Sequence, residues 1–284
     1  MTADAKTARP AAKGGLVHET VEIVKTIVYA LLIAVLIKVV VFQPYTIPSA
    51  SEEPNLYEGD YIIVSKWSYG WSRHSIPFSP PIFSGRVFFH QPERGDIVVF
   101  KLPRDGTTDY IKRLIGLPGD RIQVKDGRVI INGKALQRIP LPDGTGDLAD
   151  GNDLPVLRFA ETMPNGRQHV LQQAPTPTAA DNTGVYVVPP HCYFMMGDNR
   201  DNSLDSRFDP GMPVDLHGLA SCPWDATLDA AFPLQEGEGV GFVPEEDLVG
   251  KAQFILASWK PGASLLKPWT WIAIRPDRFF HALK

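Results

Sequence analysis

One stretch limits what this chain can become more than any other. Residues 23–42 read IVKTIVYALLIAVLIKVVVF, interrupted mainly by Lys25, Thr26 and Lys38. As a helix, such a stretch reaches about 30 Å, enough to cross a bilayer core. The uncharged part, 26–37, is too short alone, so Lys25 and Lys38 would have to extend along their aliphatic stems toward the headgroups. Lys6, Arg9 and Lys13 lie upstream with Lys25, whereas no Lys or Arg falls between Lys38 and Lys66. By the positive-inside rule the N-terminus is then cytoplasmic and everything after Phe42 is exported. A cleaved secretory signal and a buried core helix are the alternatives. The signal fits poorly, because the N-terminal region is long and carries Glu19 and Glu22 where positive charge is wanted. The expectation is a cytoplasmic tail over 1–22, a retained transmembrane anchor over 23–42, and an exported domain over 43–284.

Beyond the anchor the pattern changes. The 284 residues include 26 Pro and 24 Gly, more than helix interiors tolerate. Short runs rich in β-formers predict strands at 61–64, 96–100, 110–115, 121–124, 129–131, 185–188, 193–196, 239–243 and 252–258. Asp126-Gly127 and Asn132-Gly133 between such runs predict two type I′ hairpin turns. The polar, Gly/Asp-rich segment 141–153 reads as a loop or insert, with inserts expected over about 134–184 and 209–238. The net charge of −4 excludes the basic stripe of a general nucleic-acid binder. The exported part is expected to be mainly β.

Common catalytic signatures are missing: the chain has no HExxH, no zinc-spaced Cys/His cluster, no Walker loop and no GxSxG. Neither metal nor cofactor is expected. Ser264–Lys267 has Ser-x-x-Lys spacing but lacks its companion elements, and chance explains it. Three other segments are specific. They are Gln43 to Leu56 with Pro48-Ser49-Ala50-Ser51-Glu52-Glu53-Pro54-Asn55, then Arg94 to Phe100 followed by Tyr110-Ile111-Lys112-Arg113, and finally Gly197-Asp198-Asn199-Arg200-Asp201-Asn202-Ser203-Leu204-Asp205-Ser206-Arg207. In content and order they resemble the bacterial type I signal peptidases, or leader peptidases, from the anchor through Ser258 with the two inserts excepted.

The resemblance implies a coiled antiparallel-sheet peptidase domain behind one transmembrane helix, and a Ser-Lys dyad. By position, Ser51 is the nucleophile, Lys112 the general base, Ser49 the oxyanion-hole hydroxyl, and Ser203 the residue that orients the lysine amine. Asp205 and Arg207 are structural support. The implied substrates are exported preproteins with small residues near the cut. The implied surroundings are the bacterial inner membrane, its lipid and the export translocon, with no nucleic acid. The residues make sense of this independently. A lysine is a base only when neutral, and burial against Tyr110 and Leu114 on one strand face would lower its pKa.

Three positions depart from the family pattern: Ala50 replaces Gly, Glu52 replaces Met and Asn55 replaces Thr. Ala50 is tolerable unless its backbone needs positive φ. Glu52 is the serious change, because a carboxylate beside Lys112 favours the ammonium and predicts lowered activity relative to Glu52→Met. It keeps open an alternative function, a silent membrane-tethered β-domain that binds signal sequences without cutting them. Cys192 and Cys222 can form a disulfide or stay as buried thiols. The aromatic and basic tail from Trp259 suits either a membrane interface or core packing.

Overall fold

The computed structural model describes residues 15–149, 152–208, 222–223, 239–263 and 268–283. The second insert, apart from Cys222 and Pro223, and most of the N-terminal tail lie outside the described residues. A helix, α1 (Gly15–Val40), leads into β1 (Phe42–Thr46). It starts earlier than the expected anchor and stops sooner, because Phe42 already pairs with Ser65 in the sheet. Every described side chain of α1 is exposed. Among the described residues, no helix is long and apolar enough to cross a membrane. The crossing expected for 23–42 therefore does not follow from the structure.

The remainder is mainly β. The strands are β2 (Asp60–Ser65), β3 (Ile97–Lys101), β4 (Asp109–Gly116), β5 (Arg121–Lys125), β6 (Arg128–Ile131), β7 (Lys134–Ala135), β8 (Gln137–Ala149), β9 (Asn152–Thr162), β10 (Gln168–Gln173), β11 (Tyr186–Val187), β12 (Cys192–Met196), β13 (Val243–Pro244), β14 (Leu248–Ser258) and β15 (His281–Ala282). The largest sheet runs β1-β2-β14-β3-β4-β12-β13, with β15 beside β14. A second sheet runs β11-β5-β6-β7 and a third β10-β9-β8. Strand pairs are antiparallel throughout these sheets. Asp126-Gly127 and Asn132-Gly133 turn β5 into β6 and β6 into β7 with positive φ at all four residues, as a type I′ turn requires.

The main sheet separates distinct cores, and alternation along its strands shows how. Val98 and Phe100 of β3 pack with Leu114, Tyr193 and Met195, while Ile97 and Val99 pack with Ile47, Leu56, Ile62 and Ile255. Both faces of β3 are covered, which is why it reads as an unbroken apolar run. On β12, Tyr193 and Met195 face the first of these cores, and Cys192, Phe194 and Met196 face a third under the β5–β6 hairpin.

Two expectations are corrected. Within 141–153, expected as a loop or insert, residues 141–149 lie in β8 and 152–153 in β9, two paired strands extended by β10. Their register shifts between Leu141 and Gly144 and again between Asp147 and Ala149, and their side chains mix exposed and half-buried positions with few buried ones. Backbone pairing rather than an apolar face makes them strands. The strand expected over 239–243 shrinks to Val243–Pro244, since Gly241 takes positive φ and turns the chain. Cys192 and Cys222 form a disulfide, tying one point of the second insert to β12.

Candidate active site

The turn after β1 carries Ser49 and Ser51. Ile47 anchors it in a core, and three backbone bonds fold it back: Glu53 N donates to the Ala50 carbonyl at 3.1 Å, and Asn55 N and Leu56 N donate to the Glu52 carbonyl at 3.0 and 2.9 Å. Ala50 is not among the positive-φ residues, so the family glycine's conformational freedom is not needed there. Beneath the turn runs β4. Val98 opposes Lys112 and Phe100 opposes Tyr110, so Lys112 shares a sheet face with those side chains.

Lys112 Nζ stands 2.5 Å from Ser51 Oγ and donates to the Ile111 carbonyl at 2.9 Å. Ser49 Oγ lies 3.4 Å from Ser51 Oγ. Lys112 is buried, and that burial lowers its pKa; the carboxyls of Glu52, Asp205 and Asp198 pull the other way without reversing it. An amine with a lowered pKa, within hydrogen-bond reach of a serine hydroxyl at the edge of solvent, is the arrangement of a nucleophile and its base.

The loop after β12 closes the site from the far side. Asn199 N donates to the Ser51 carbonyl at 3.1 Å, and Asn199 Nδ2 donates to the Ala50 carbonyl at 3.1 Å. Ser203 Oγ donates to Asp205 Oδ2 at 2.9 Å, so its proton goes to that carboxylate and not to the Lys112 amine. Arg207 grips Asp205 through Nε and Nη2, both at 2.9 Å, and Gly197 N donates to the same carboxylate at 3.0 Å. Burial alone would push the Asp205 carboxyl up; Arg207 and the backbone donors outweigh it and hold the group below the ordinary carboxylate range.

Other residues at the site had no assigned role in the sequence. Arg113, next to the base, makes a two-pronged pair with Asp198 at 2.8 and 2.7 Å. Asn55 Nδ2 joins them, donating to Asp198 Oδ2 at 2.7 Å and to the Val170 carbonyl of β10 at 2.6 Å. Glu53 accepts from Asp147 N and Gln172 Nε2, at 3.1 and 3.2 Å, and so ties the nucleophile turn to the β8–β10 insert. Asp198, Asn199 and Arg113 sit inside the motifs, where their presence was the available signal. Glu53, and His169 with its Nε2 3.6 Å from Asp198, have no local pattern that marks them. Among the described residues, no group of His, Cys, Asp or Glu is arranged to hold a metal.

The model of the signal peptidase, peptidase S26, family matches residues 20–259. The chain is 38% identical over 274 residues to the signal peptidase I of Rickettsia typhi, covering 90% of both chains. To that of Rickettsia canadensis it is 37% identical over 278 residues, 91% of this chain and 92% of the relative. A crystal structure of a signal peptidase I from Enterococcus faecalis matches with 24% identity over 57% of this chain and 97% of that one, at a TM-score of 0.28, too loose an overlay to bear on the fold. With both the family pattern and its relatives running almost from end to end, this chain belongs to the signal peptidase family, peptidase S26, and is a serine protease of the signal peptidase I type.

Proposed function

We propose that the chain is a membrane-anchored endopeptidase that removes N-terminal signal peptides from exported preproteins with a Ser51–Lys112 dyad. The observation that carries this reading is the 2.5 Å approach of a buried Lys112 amine to Ser51 Oγ. Ser51 Oγ attacks the scissile carbonyl while its proton passes to Lys112. The Ser49 hydroxyl and the Ser51 backbone N–H face the oxyanion. Lys112 then gives the proton to the leaving amine, and water repeats the sequence on the acyl-enzyme. Ser203, with its own proton given to Asp205, keeps oxygen lone pairs free to orient the amine. Asp205 and Arg207 hold the loop that carries it.

The anchor rests on a separate argument. The apolar residues of α1, from Val21 to Ile37, are exposed where they are described, and a bilayer is a solvent that suits them. The Lys and Arg distribution puts the N-terminus in the cytoplasm and the protease on the exported face of the inner membrane, near the translocon that delivers its substrates and against lipid. Two experiments test this reading. Cleavage of a preprotein in detergent is expected from the full chain and not from Ser51→Ala or Lys112→Ala. Signal-peptide binding by the full chain without cleavage would overturn the enzyme reading in favour of a silent binding domain. Retention in the membrane fraction after alkaline extraction, lost on deleting 1–41, is expected of the anchor.

A further inference from the structure

Glu52 follows the nucleophile directly, and its side chain is completely buried. Among the described residues, neither carboxyl oxygen has a hydrogen-bond partner. Lys112 Nζ is 4.0 Å from Oε1, too far for a direct bond, and its contacts go to Ser51 and Ile111 instead. The other charges facing Glu52 are already committed. Arg113 on β4 is spent on Asp198, and Asp205 on the far loop is spent on Arg207. An anion in such a place would have no hydrogen-bond donor among the described residues and only a 4.0 Å approach of Lys112 as counter-ion, a costly state for a buried carboxylate. A closed ion pair would have drawn the amine to hydrogen-bond distance.

We infer that Glu52 carries a proton while the dyad works, so that the Glu52–Lys112 pair holds one proton and Lys112 is left as the free base. This inference rests on the dyad reading. It changes what Glu52 means for activity, because a neutral carboxyl does not stabilise the Lys112 ammonium at neutral pH. Burial, reinforced by Asp198, raises the Glu52 carboxyl well above its ordinary value, against the opposing pull of Lys112 and Arg113. Through acylation the Ser51 proton travels to Lys112 and on to the leaving amine, and the Glu52 proton stays where it is. Ionisation of Glu52, which requires a pH well above its ordinary range, would place a negative charge beside the forming oxyanion. Glu52 is therefore a positioning residue that acts through Lys112 and bounds the working pH from above.

The test compares pH profiles of kcat/KM for the full-length wild type, E52Q and E52M on a preprotein in detergent, with Ser51→Ala as control. Gln mimics the protonated acid. The acid limbs of wild type and E52Q are expected to coincide, and an alkaline decline is expected in wild type and not in E52Q or E52M. An infrared band of a protonated, buried carboxyl, absent from E52Q, is expected in wild type at neutral pH, and this readout does not depend on catalysis. An acid limb displaced to lower pH by a unit or more in E52Q, or a missing infrared band, would overturn the inference and restore the ion pair. Activity persisting in Ser51→Ala would instead sink the dyad reading. Should E52Q misfold, E52M provides the same comparison.

Discussion

Gly197 lacks a side chain because two catalytic-loop groups occupy the space. A Cβ there would press on Ser203 Oγ and on the carbonyl of Ser51. Gly197→Ala therefore has to push Ser51 away from Lys112 or break the Ser203–Asp205 bond. A fall in kcat of roughly 100-fold is expected, since displacements of this size near a reacting group have such effects. Single-turnover kinetics would show it, and a wild-type rate would mean that the loop yields freely. Asp205 behaves differently, because its loss strands a guanidinium. Arg207 is buried with Asp205 as its two-pronged partner. Asp205→Ala is expected to cost about 3–5 kcal/mol of stability, the usual penalty for unpairing a buried charge. Denaturant melting of the full chain in detergent would measure it. At this scale the motifs single out Ser51 and Lys112, which the fold brings within 2.5 Å of each other. They do not encode where the Ser203 hydroxyl points, because its bond to Asp205 is set by distances within the loop.

At the scale of elements, the β8–β10 insert is part of the site's framework. Asn199 Nδ2 reaches both the Ala50 carbonyl and the Asp147 carbonyl at the far end of β8, and Asn202 Nδ2 reaches Asp147 as well. Gln172 of β10 exchanges backbone bonds with the signature loop, donating to Asp198 and accepting from Arg200. Glu53 completes the clamp from the nucleophile side. Glu53→Leu is expected to lower kcat several-fold with KM nearly unchanged. Glu53→Gln keeps an acceptor oxygen and is expected to restore most of the loss. Equal effects of the two substitutions on kcat and KM would contradict the clamp. This element was hidden in the sequence for a physical reason. Strands are legible when one face is buried, as in β5 and β6, where apolar residues alternate and Asp-Gly or Asn-Gly marks the turns. β8 has an exposed, Gly/Asp-rich sequence, and its partners lie far along the chain. The C-terminal tail is partly anchored for similar long-range reasons: Arg278 pairs with Asp60 at 2.6 Å, while Trp269, Trp271 and Ile272 remain exposed.

Across the whole molecule, buried ion pairs knit the sheets together, and their titration sets the acid limit of the fold. Burial raises the Glu161 carboxyl, but Arg200 and Arg138 more than offset it and leave the group below its ordinary range; Asp205 is held low by Arg207. A depressed folded pKa contributes stability above the unfolded value of about 4, and that contribution disappears as pH falls through the folded value. Melting temperature is therefore expected to drop steeply below about pH 4, and a flat profile down to pH 2 would remove these pairs from the stability account. The Cys192–Cys222 bridge closes a loop with a sequence separation of 30. Replacing both cysteines with serine is expected to cost about 3–4 kcal/mol on the loop-entropy model, read as a lower melting temperature. One arrangement has a consequence for how such a protein can diverge. Asp198 binds Arg113 and Asn55, with His169 3.6 Å away, and His169 lies the same distance from Glu161, which in turn binds Arg138 and Arg200. Loss of Asp198 or Glu161 alone would strand buried arginines, so descendants must change these carboxylates together with their partners or leave them alone. The floor of the site, which includes Arg138 of β8 and Glu161 of β9, is thus rewritten by concerted steps, whereas exposed positions of the same hairpin such as Ile139 and Leu154 can drift one residue at a time.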